Sequence, residues 1–221
     1  MRNTLQKLAD PALAPAFVFD VEGTLVDSVA LTLRCWEETL RTHGVAIERS
    51  CLHEFSGMDG NAMLQQLVPD MTDAQRKTVL QGQGERYRQK YLRQVAAFAG
   101  VRETFRDLKA AQRRIALATD CQPDELAHYL AITGIADLVD ARACGSDVPH
   151  GKPWPDLPAL AMRQLGLDHG VMVGDTPYDA LAASRAGLIA LGVETGGFGR
   201  HRLQEAGCAA VLPSVGALRL A

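Results

Sequence analysis

The sequence of 221 residues lacks any apolar run that could cross a membrane. No stretch approaches the roughly 18 uninterrupted apolar residues that a spanning helix needs, and residues 1–15 contain no apolar core of a signal peptide. We therefore expect a cytoplasmic protein with a short, mobile N-terminal tail and no membrane partner.

The sequence also lacks an excess of positive charge. Its 23 Lys and Arg residues are outnumbered by 26 Asp and Glu residues, which gives a formal net charge of −3. Affinity for nucleic acid rests mainly on cationic side chains that neutralise phosphates. We therefore expect no nucleic-acid partner.

Paired cysteines are missing as well. The five cysteines are odd in number, widely spaced and without a C-x-x-C pair, and the six histidines show no metal-binding spacing. This pattern indicates neither a disulfide framework nor a zinc site. Reduced cysteines fit the expected cytoplasmic location.

The composition that is present is typical of a globular enzyme. The sequence is 47% hydrophobic and 22% charged, as is usual for a compact, soluble chain. A chain of this length can form one α/β domain or a core with a modest insertion. The sequence leaves both a monomer and a homodimer open.

The spacing of hydrophobic residues changes early in the chain. The run AFVFDV, from Ala16, ends at a glycine turn and predicts a short buried strand. Residues 28–95 space their apolar residues by three and four, which predicts helices, and Thr72 or Asp73 is the expected cap of a long one. The expected breaks between these helices are Gly44, Gly57 and Pro69.

Beyond Gly100, predicted helices alternate with short apolar runs. These runs are RIALAT, LVDARAC, GVMVGD and LIALGV, with AAVLPSV as an expected edge strand. The alternation predicts an α/β fold with a mainly parallel sheet and crossover helices. We expect a core domain of residues 14–27 and 96–221, interrupted by an all-helical domain of residues 28–95.

Acidic and polar residues follow the predicted strands. In an open parallel sheet, ligands bind at the carboxyl ends of the strands. Carboxylates that meet at one edge need a shared cation, and hard oxygen ligands select Mg²⁺. A lysine ammonium, a hydroxyl group and turn N–H groups would bind phosphoryl oxygens. The residues concerned are Asp20, Glu22, Gly23, Thr24, Thr119, Asp120, Lys152, Asp175 and Asp179.

Four segments of the sequence resemble the motifs of the haloacid dehalogenase (HAD) superfamily. They are FDVEGTLVDS, Thr119, Lys152 within HGKPWPD, and GDTPYDALAA, and they occur in the family's order. The tail LGVETGGFGRHRLQEAGCAAVLPSV is similar to the phosphoglycolate-phosphatase-like branch. The resemblance covers nearly the whole chain. It implies a Rossmann-like three-layer α/β/α core with an inserted helical cap of the C1 type at 28–95.

The resemblance also implies a Mg²⁺-dependent phosphatase that acts on a small phosphorylated metabolite. Asp20 would be the nucleophile of an aspartyl-phosphate intermediate, and Thr119 and Lys152 would hold the phosphoryl group. Glu22 would serve as general acid and base. The implied metal ligands are Asp20, the backbone carbonyl of Glu22, Asp175 and Asp179.

Two positions depart from the family's pattern. Glu22 stands where the phosphatases carry an aspartate, and Asp120 stands where relatives often carry an asparagine. The alternatives are a phosphonatase-like or mutase-like enzyme and a non-catalytic protein that binds a phosphorylated ligand. A phosphonatase needs a lysine from the helical segment, where only Lys77 and Lys90 occur.

The helical segment contains further candidates for substrate contact. Trp36, Arg34 and the loop of residues 54–59 are placed where they could reach the site. The basic residues of its last helix are expected to form a solvated face; they are Arg86, Arg88, Lys90 and Arg93.

The longer side chain of Glu22 generates a prediction. Its extra C–C bond of roughly 1.5 Å must be folded back, and misplacing a catalytic group by ~1 Å can cost on the order of 10²-fold in rate. We therefore expect the turnover of a generic phosphate ester to rise in Glu22→Asp. Steady-state kinetics of the two proteins test this, and an unchanged or lower rate in the variant would contradict it.

Overall fold

The computed structural model describes residues 2–220, with side chains from residue 5 onward. Eight strands occur within these residues: β1 (Ala16–Phe19), β2 (Val26–Asp27), β3 (Ala96–Ala97), β4 (Arg114–Thr119), β5 (Ala141–Cys144), β6 (Val171–Gly174), β7 (Ile189–Val193) and β8 (Ala210–Leu212). The α-helices of the same range are α1 (Arg2–Leu8), α2 (Val29–Thr42), α3 (Arg49–Glu54), α4 (Gly60–Leu67), α5 (Asp73–Arg86), α6 (Val101–Ala110), α7 (Pro123–Thr133), α8 (Asp156–Leu165), α9 (Pro177–Arg185) and α10 (Arg200–Glu205).

Six of the strands form one parallel sheet in the order β5-β4-β1-β6-β7-β8. The expected edge strand, β8, lies at one edge of this sheet. β1 lies between β4 and β6, and all four of its residues are buried. The ends of these three neighbouring strands therefore meet at the same edge of the sheet.

Both faces of the sheet are covered by helices. On β1, Phe17 and Phe19 pack into one apolar cluster together with residues of α6 and α7, whereas Val18 packs into another with residues of α8, α9 and α10. This alternation follows from the two-residue side-chain period of a strand. The fold is thus a three-layer α/β/α arrangement, as the sequence predicts.

The chain between β1 and β4 forms helices, as expected for residues 28–95. Helices α2 to α5 surround an apolar cluster of their own, which includes Trp36, Leu40 and Leu64. The short antiparallel pair of β2 and β3 brings the start and the end of this segment together, with Val26 opposite Ala97. A single π-helical turn, Tyr87–Tyr91, extends α5.

The expectation of a mobile N-terminal tail is wrong. Residues 2–8 form α1, and Leu8 and Ala14 are buried in the same apolar cluster as Phe17. The guanidinium of Arg113 donates a hydrogen bond to the backbone carbonyl of Ala9. Apolar burial and this bond hold the segment against the core.

Two other expectations concern what the chain lacks. All five cysteines are free thiols. Across residues 2–220, no helix combines the length and the apolar character that a membrane crossing requires.

The N-terminus of α5 yields a stability prediction. The hydroxyl of Thr72 accepts a hydrogen bond from the backbone N–H of Gln75, and the side chain of Gln75 accepts one from the N–H of Thr72. Loss of such a capping box costs ~1 kcal/mol. We expect Thr72→Ala to lower the free energy of unfolding by about this amount in urea denaturation.

The matched control lies six residues further along the same helix. Thr78 is exposed and its hydroxyl contacts only the backbone carbonyl of Ala74. Because alanine is the better helix former, Thr78→Ala should leave the stability unchanged or slightly higher. Equal losses in the two variants would contradict a specific role of the cap.

Candidate active site

The predicted site residues converge at the carboxyl edge of the sheet. Asp20 directly follows β1, Asp175 directly follows β6, and Thr119 is the last residue of β4. Lys152 lies in the loop between β5 and α8, and Asp179 lies in the first turn of α9. All five side chains are buried.

Lys152 is the centre of this arrangement, with only 2% of its surface exposed. Its ammonium donates hydrogen bonds to Asp20 Oδ1 and, at 2.9 Å, to Asp179 Oδ1, and it lies 3.7 Å from Asp120 Oδ2. Burial alone would lower the pKa of the ammonium, but the three carboxylates raise that pKa well above its usual value. Lys152 is therefore a fixed positive charge.

Carboxylate oxygens of Asp20, Asp175 and Asp179 all lie within 4.8 Å of one another. Burial, followed by the repulsion between these acids, raises the pKa of Asp175 well above its usual value. Burial also raises the pKa of Asp20, although Lys152 opposes this shift. The cluster thus contains more negative charge than the single ammonium can balance.

This cluster fits a divalent cation. Asp175 Oδ1 accepts a hydrogen bond of 2.7 Å from the hydroxyl of Thr24, whereas its buried Oδ2 has no hydrogen-bond partner. Buried polar atoms are almost always paired, so an unpaired carboxylate oxygen is typical of a ligand position. Asp20, Asp175 and Asp179 together offer the hard oxygen atoms that such a cation binds.

The turn after β1 differs from the expectation. The N–H groups of Gly23 and Thr24 donate to the backbone carbonyls of Val26, at 2.9 Å, and Val21, at 3.3 Å. These N–H groups close the turn, so the geometry does not support the predicted phosphate binding by Gly23 and Thr24. The Thr24 hydroxyl orients Asp175 instead, and Gly23, at a φ of +80°, leaves room for that carboxylate.

Thr119 and Asp120 flank the position of Lys152. The Thr119 hydroxyl accepts a hydrogen bond of 3.3 Å from the N–H of Cys121. Asp120 Oδ2 accepts one of 3.4 Å from the backbone N–H of Lys152. Burial raises the pKa of Asp120 to about 7, and Lys152 opposes the shift. Asp120 therefore braces the loop that carries Lys152.

Glu22 is held by a pair of tyrosines. Its Oε1 accepts a hydrogen bond of 3.0 Å from the hydroxyl of Tyr129, on α7, which lies 2.8 Å from the hydroxyl of Tyr87. Burial, and next the charge of Glu125, raise the pKa of Glu22 to about 8. Because Tyr87 belongs to the helical segment, this chain of contacts connects that segment to the edge of the sheet.

A cavity of about 520 Å³ opens beside these residues. Its lining includes the predicted residues Asp20, Glu22, Thr119, Asp120 and Lys152. Helices α2, α4 and α5 line it from the helical segment, and α7 lines it from the core domain. The cavity therefore lies between the helical segment and the sheet edge.

The helical segment contributes some of the expected residues. Trp36 and the loop of residues 55–59 line the cavity. Arg34 does not line it, because its guanidinium lies 3.8 Å from Glu38 on the surface. Arg88 does line it, so the expectation of a solvated face is wrong for this residue.

Comparison with known proteins decides the family. The sequence model of the haloacid dehalogenase-like hydrolases matches residues 17–193. The chain belongs to this family. The probable phosphatase IndB of Dickeya dadantii is 30% identical over 83% of each chain. A phosphoglycolate phosphatase of Cereibacter sphaeroides is 29% identical over 79% of this chain and 82% of its own.

A solved hydrolase structure agrees with this assignment. The crystal structure of a hydrolase from Pseudomonas syringae superimposes with a TM-score of 0.85 and 28% identity, over 90% of this chain and 94% of that one. Together with the phosphatase relatives, this supports a phosphomonoester hydrolase of the HAD type.

Sequence reasoning missed several contacts of this HAD site. Tyr87 and Tyr129 occupy apolar faces of their helices, where they are indistinguishable from core residues. Arg88 carries the same charge pattern as its solvated neighbours. Gly196 gave no signal, although it packs directly on Asp175. Each of these roles depends on a partner that is distant in the sequence.

The position of Gly196 leaves no room for a side chain. A Cβ at this position would lie 1.7 Å from Asp175 Oδ2. Because backbone and buried carboxylate would both have to move, we expect Gly196→Ala to lower the free energy of unfolding by about 1–3 kcal/mol. Urea denaturation followed by circular dichroism measures this change.

Gly82 provides the matched control for that substitution. A Cβ at Gly82, within α5, would meet no atom within 4 Å. Gly82→Ala should therefore raise the stability by roughly 0.5–1 kcal/mol through helix propensity alone. A Gly196→Ala protein as stable as the parent would show that the carboxylate is not held in place as described.

Proposed function

We propose that this chain is a Mg²⁺-dependent phosphatase that uses Asp20 as a covalent nucleophile on a small phosphorylated metabolite. The observation that carries the proposal is the buried cluster in which Asp20 contacts Lys152 and lies beside Asp175 and Asp179. A nucleophile, a fixed cation and an oxygen site for a metal are thus adjacent to one cavity.

Asp20 carries out the first half of the reaction. One of its carboxylate oxygens attacks the phosphorus atom, the ester P–O bond breaks, and an acyl phosphate forms on Asp20. The ammonium of Lys152 balances the negative charge of the phosphoryl oxygens during this transfer. The hydroxyl of Thr119, at the end of the neighbouring strand, offers a further hydrogen bond to these oxygens.

Glu22 moves the protons. It gives a proton to the leaving oxygen and later takes one from the water molecule that attacks the acyl phosphate, which releases inorganic phosphate and restores Asp20. Glu22 lines the cavity and follows the proposed nucleophile by two residues in the chain, which supports this role. The hydrogen bond from Tyr129 restricts the longer glutamate side chain to one position.

Asp20, Asp175, Asp179 and the backbone carbonyl of Glu22 are the proposed ligands of Mg²⁺. When bound, the ion neutralises negative charge at the transferring phosphoryl group. The unpaired Oδ2 of Asp175 and the excess of buried carboxylates support this assignment. The choice of Mg²⁺ follows from the all-oxygen ligand set and the neighbouring phosphate.

Residues 28–95 would form a cap over the core of residues 14–27 and 96–221. Closure of such a cap keeps bulk water away from the acyl phosphate. The cavity shared by helices of both parts supports this division. The protein would be cytoplasmic and either a monomer or a homodimer.

Hydrolysis has more support than the phosphonatase alternative. Lys90 pairs at 2.8 Å with Glu38 and Lys77 is exposed, and neither lines the cavity. The helical segment therefore offers no lysine that could form a Schiff base there. No contact of the described residues favours a mutase. The remaining alternative, a non-catalytic protein, would accumulate phosphorylated Asp20 without turnover.

Hydrolysis of p-nitrophenyl phosphate tests the proposal. We expect activity with Mg²⁺, loss of activity with a chelator, and recovery when Mg²⁺ is restored. We expect Asp20→Asn to lower kcat by on the order of 10⁴-fold or more, as removal of a covalent nucleophile does. Release of phosphate in steady state measures each of these.

Asp107→Asn is the matched control, because Asp107 is exposed on α6 and remote from the cavity. This substitution removes the same charge and should leave kcat and KM unchanged. Activity that persists without a divalent metal, or in Asp20→Asn, would exclude the proposed mechanism.

A further inference from the structure

The cavity is larger than a phosphoryl group alone would need. Its volume of about 520 Å³ lies within the range of pockets that bind whole small molecules. Lys152 and Asp20 lie in its wall on the core side, and α2, α4 and α5 form the opposite wall. The leaving group of the substrate must therefore contact residues of the helical segment.

All the residues that line the cavity are described, and none of them offers an unpaired cation. The two basic residues of the lining are Lys152 and Arg88. Lys152 is bound by Asp20 and Asp179. The guanidinium of Arg88 lies 3.4 Å from Glu125 and 3.5 Å from Asp124, both on α7. Its charge is thus already balanced.

Further carboxylates line the cavity. Glu125, on α7, and Asp59, at the start of α4, both line it, whereas Glu22 is the proposed proton donor and is neutral before it donates. The side chain of Asp59 accepts a hydrogen bond of 2.9 Å from the N–H of Ala62, so this helix end presents an acid to the cavity. A second anionic group on the substrate would approach like charges without a counter-ion.

Neutral polar groups are available instead. Ser56, Asn61 and Gln83 line the cavity, and their side chains have no hydrogen-bond partner among the described residues. Hydroxyl groups can donate to and accept from such side chains. Trp36 and Phe55 add apolar surface against which a carbon skeleton can pack.

We infer that the substrate is a monophosphate ester of an uncharged, hydroxyl-rich alcohol, such as a sugar or a polyol. A leaving group that carries a carboxylate or a second phosphate is selected against. This inference rests on the proposed phosphatase activity and adds the class of substrate to it. The balanced Arg88 and the three unpaired neutral side chains are the observations that carry it.

Two pairs of esters that differ in a single group provide the test. The first pair is sorbitol 6-phosphate and 6-phosphogluconate, and the second is 2-hydroxyethyl phosphate and phosphoglycolate. Within each pair, the first ester has a hydroxymethyl group where the second has a carboxylate. We expect kcat/KM to be at least about tenfold higher for the hydroxyl member of each pair. One unfavourable charge contact with the carboxylate member is enough to cause a difference of this size.

Glu125→Gln tests the cause of this preference. The substitution removes one lining carboxylate and one partner of Arg88, while glutamine can still accept the hydrogen bond of 3.0 Å from the N–H of Gln122. We expect the preference for the hydroxyl member to fall by at least about fivefold, because 6-phosphogluconate gains a cation. Asp107→Asn should leave the preference unchanged.

The outcomes separate this inference from the proposed function. Equal or reversed preference within both pairs would overturn the inference, and so would a lack of turnover of all four esters. In either case, Mg²⁺-dependent hydrolysis of p-nitrophenyl phosphate through Asp20 would still support the proposed function. Failure of that chromogenic reaction would overturn both. An unchanged preference in Glu125→Gln would show that the lining charges do not select the substrate.

Discussion

The site depends on one electrostatic constraint, which is the burial of several carboxylates around a single ammonium. Isolated ions are costly to bury, so Asp20 and Asp179 can remain beside one another only because Lys152 bridges them. The remaining oxygen of Asp175 has no partner within the protein. This imbalance fits a divalent cation, and the proposed phosphoryl transfer would use the positive charge of Lys152 together with that of the cation.

The parallel sheet holds these carboxylates close together. β1 and β6 are neighbours, so their following residues, Asp20 and Asp175, are placed together by backbone hydrogen bonding before any side chain contributes. The N–H of Asp20 donates to the carbonyl of Val173 at 2.9 Å, which extends the ladder to the proposed nucleophile. Rigid strands, and not the acids themselves, hold the like charges at short range.

The sequence alone predicted the sheet, the helical segment and the residues that meet at the strand ends, because hydrophobic periodicity and chain order determine these features locally. It could not predict that the N–H groups of Gly23 and Thr24 close their own turn. Nor could it separate Arg88 from its solvated neighbours, or assign Tyr129 to Glu22, since these depend on side chains more than thirty residues away. Local pattern predicts the elements, whereas partners across the cavity require coordinates.

The residues proposed for catalysis and most of those proposed to contact the leaving alcohol lie on different walls of the cavity. The groups proposed to act on the phosphoryl group follow strands of the sheet, where a change of backbone geometry would disturb the whole core. Most groups that would face the leaving alcohol lie on α2, α4 and α5 or in the loop of residues 55–59, whereas Glu125 lies on α7. Helices α2, α4 and α5 pack around a separate apolar cluster. Substitutions on those helices can therefore alter the substrate without moving Asp20 or Lys152. The contact between Tyr87 and Tyr129 is an exception, because it connects the helical segment to Glu22, the proposed proton donor.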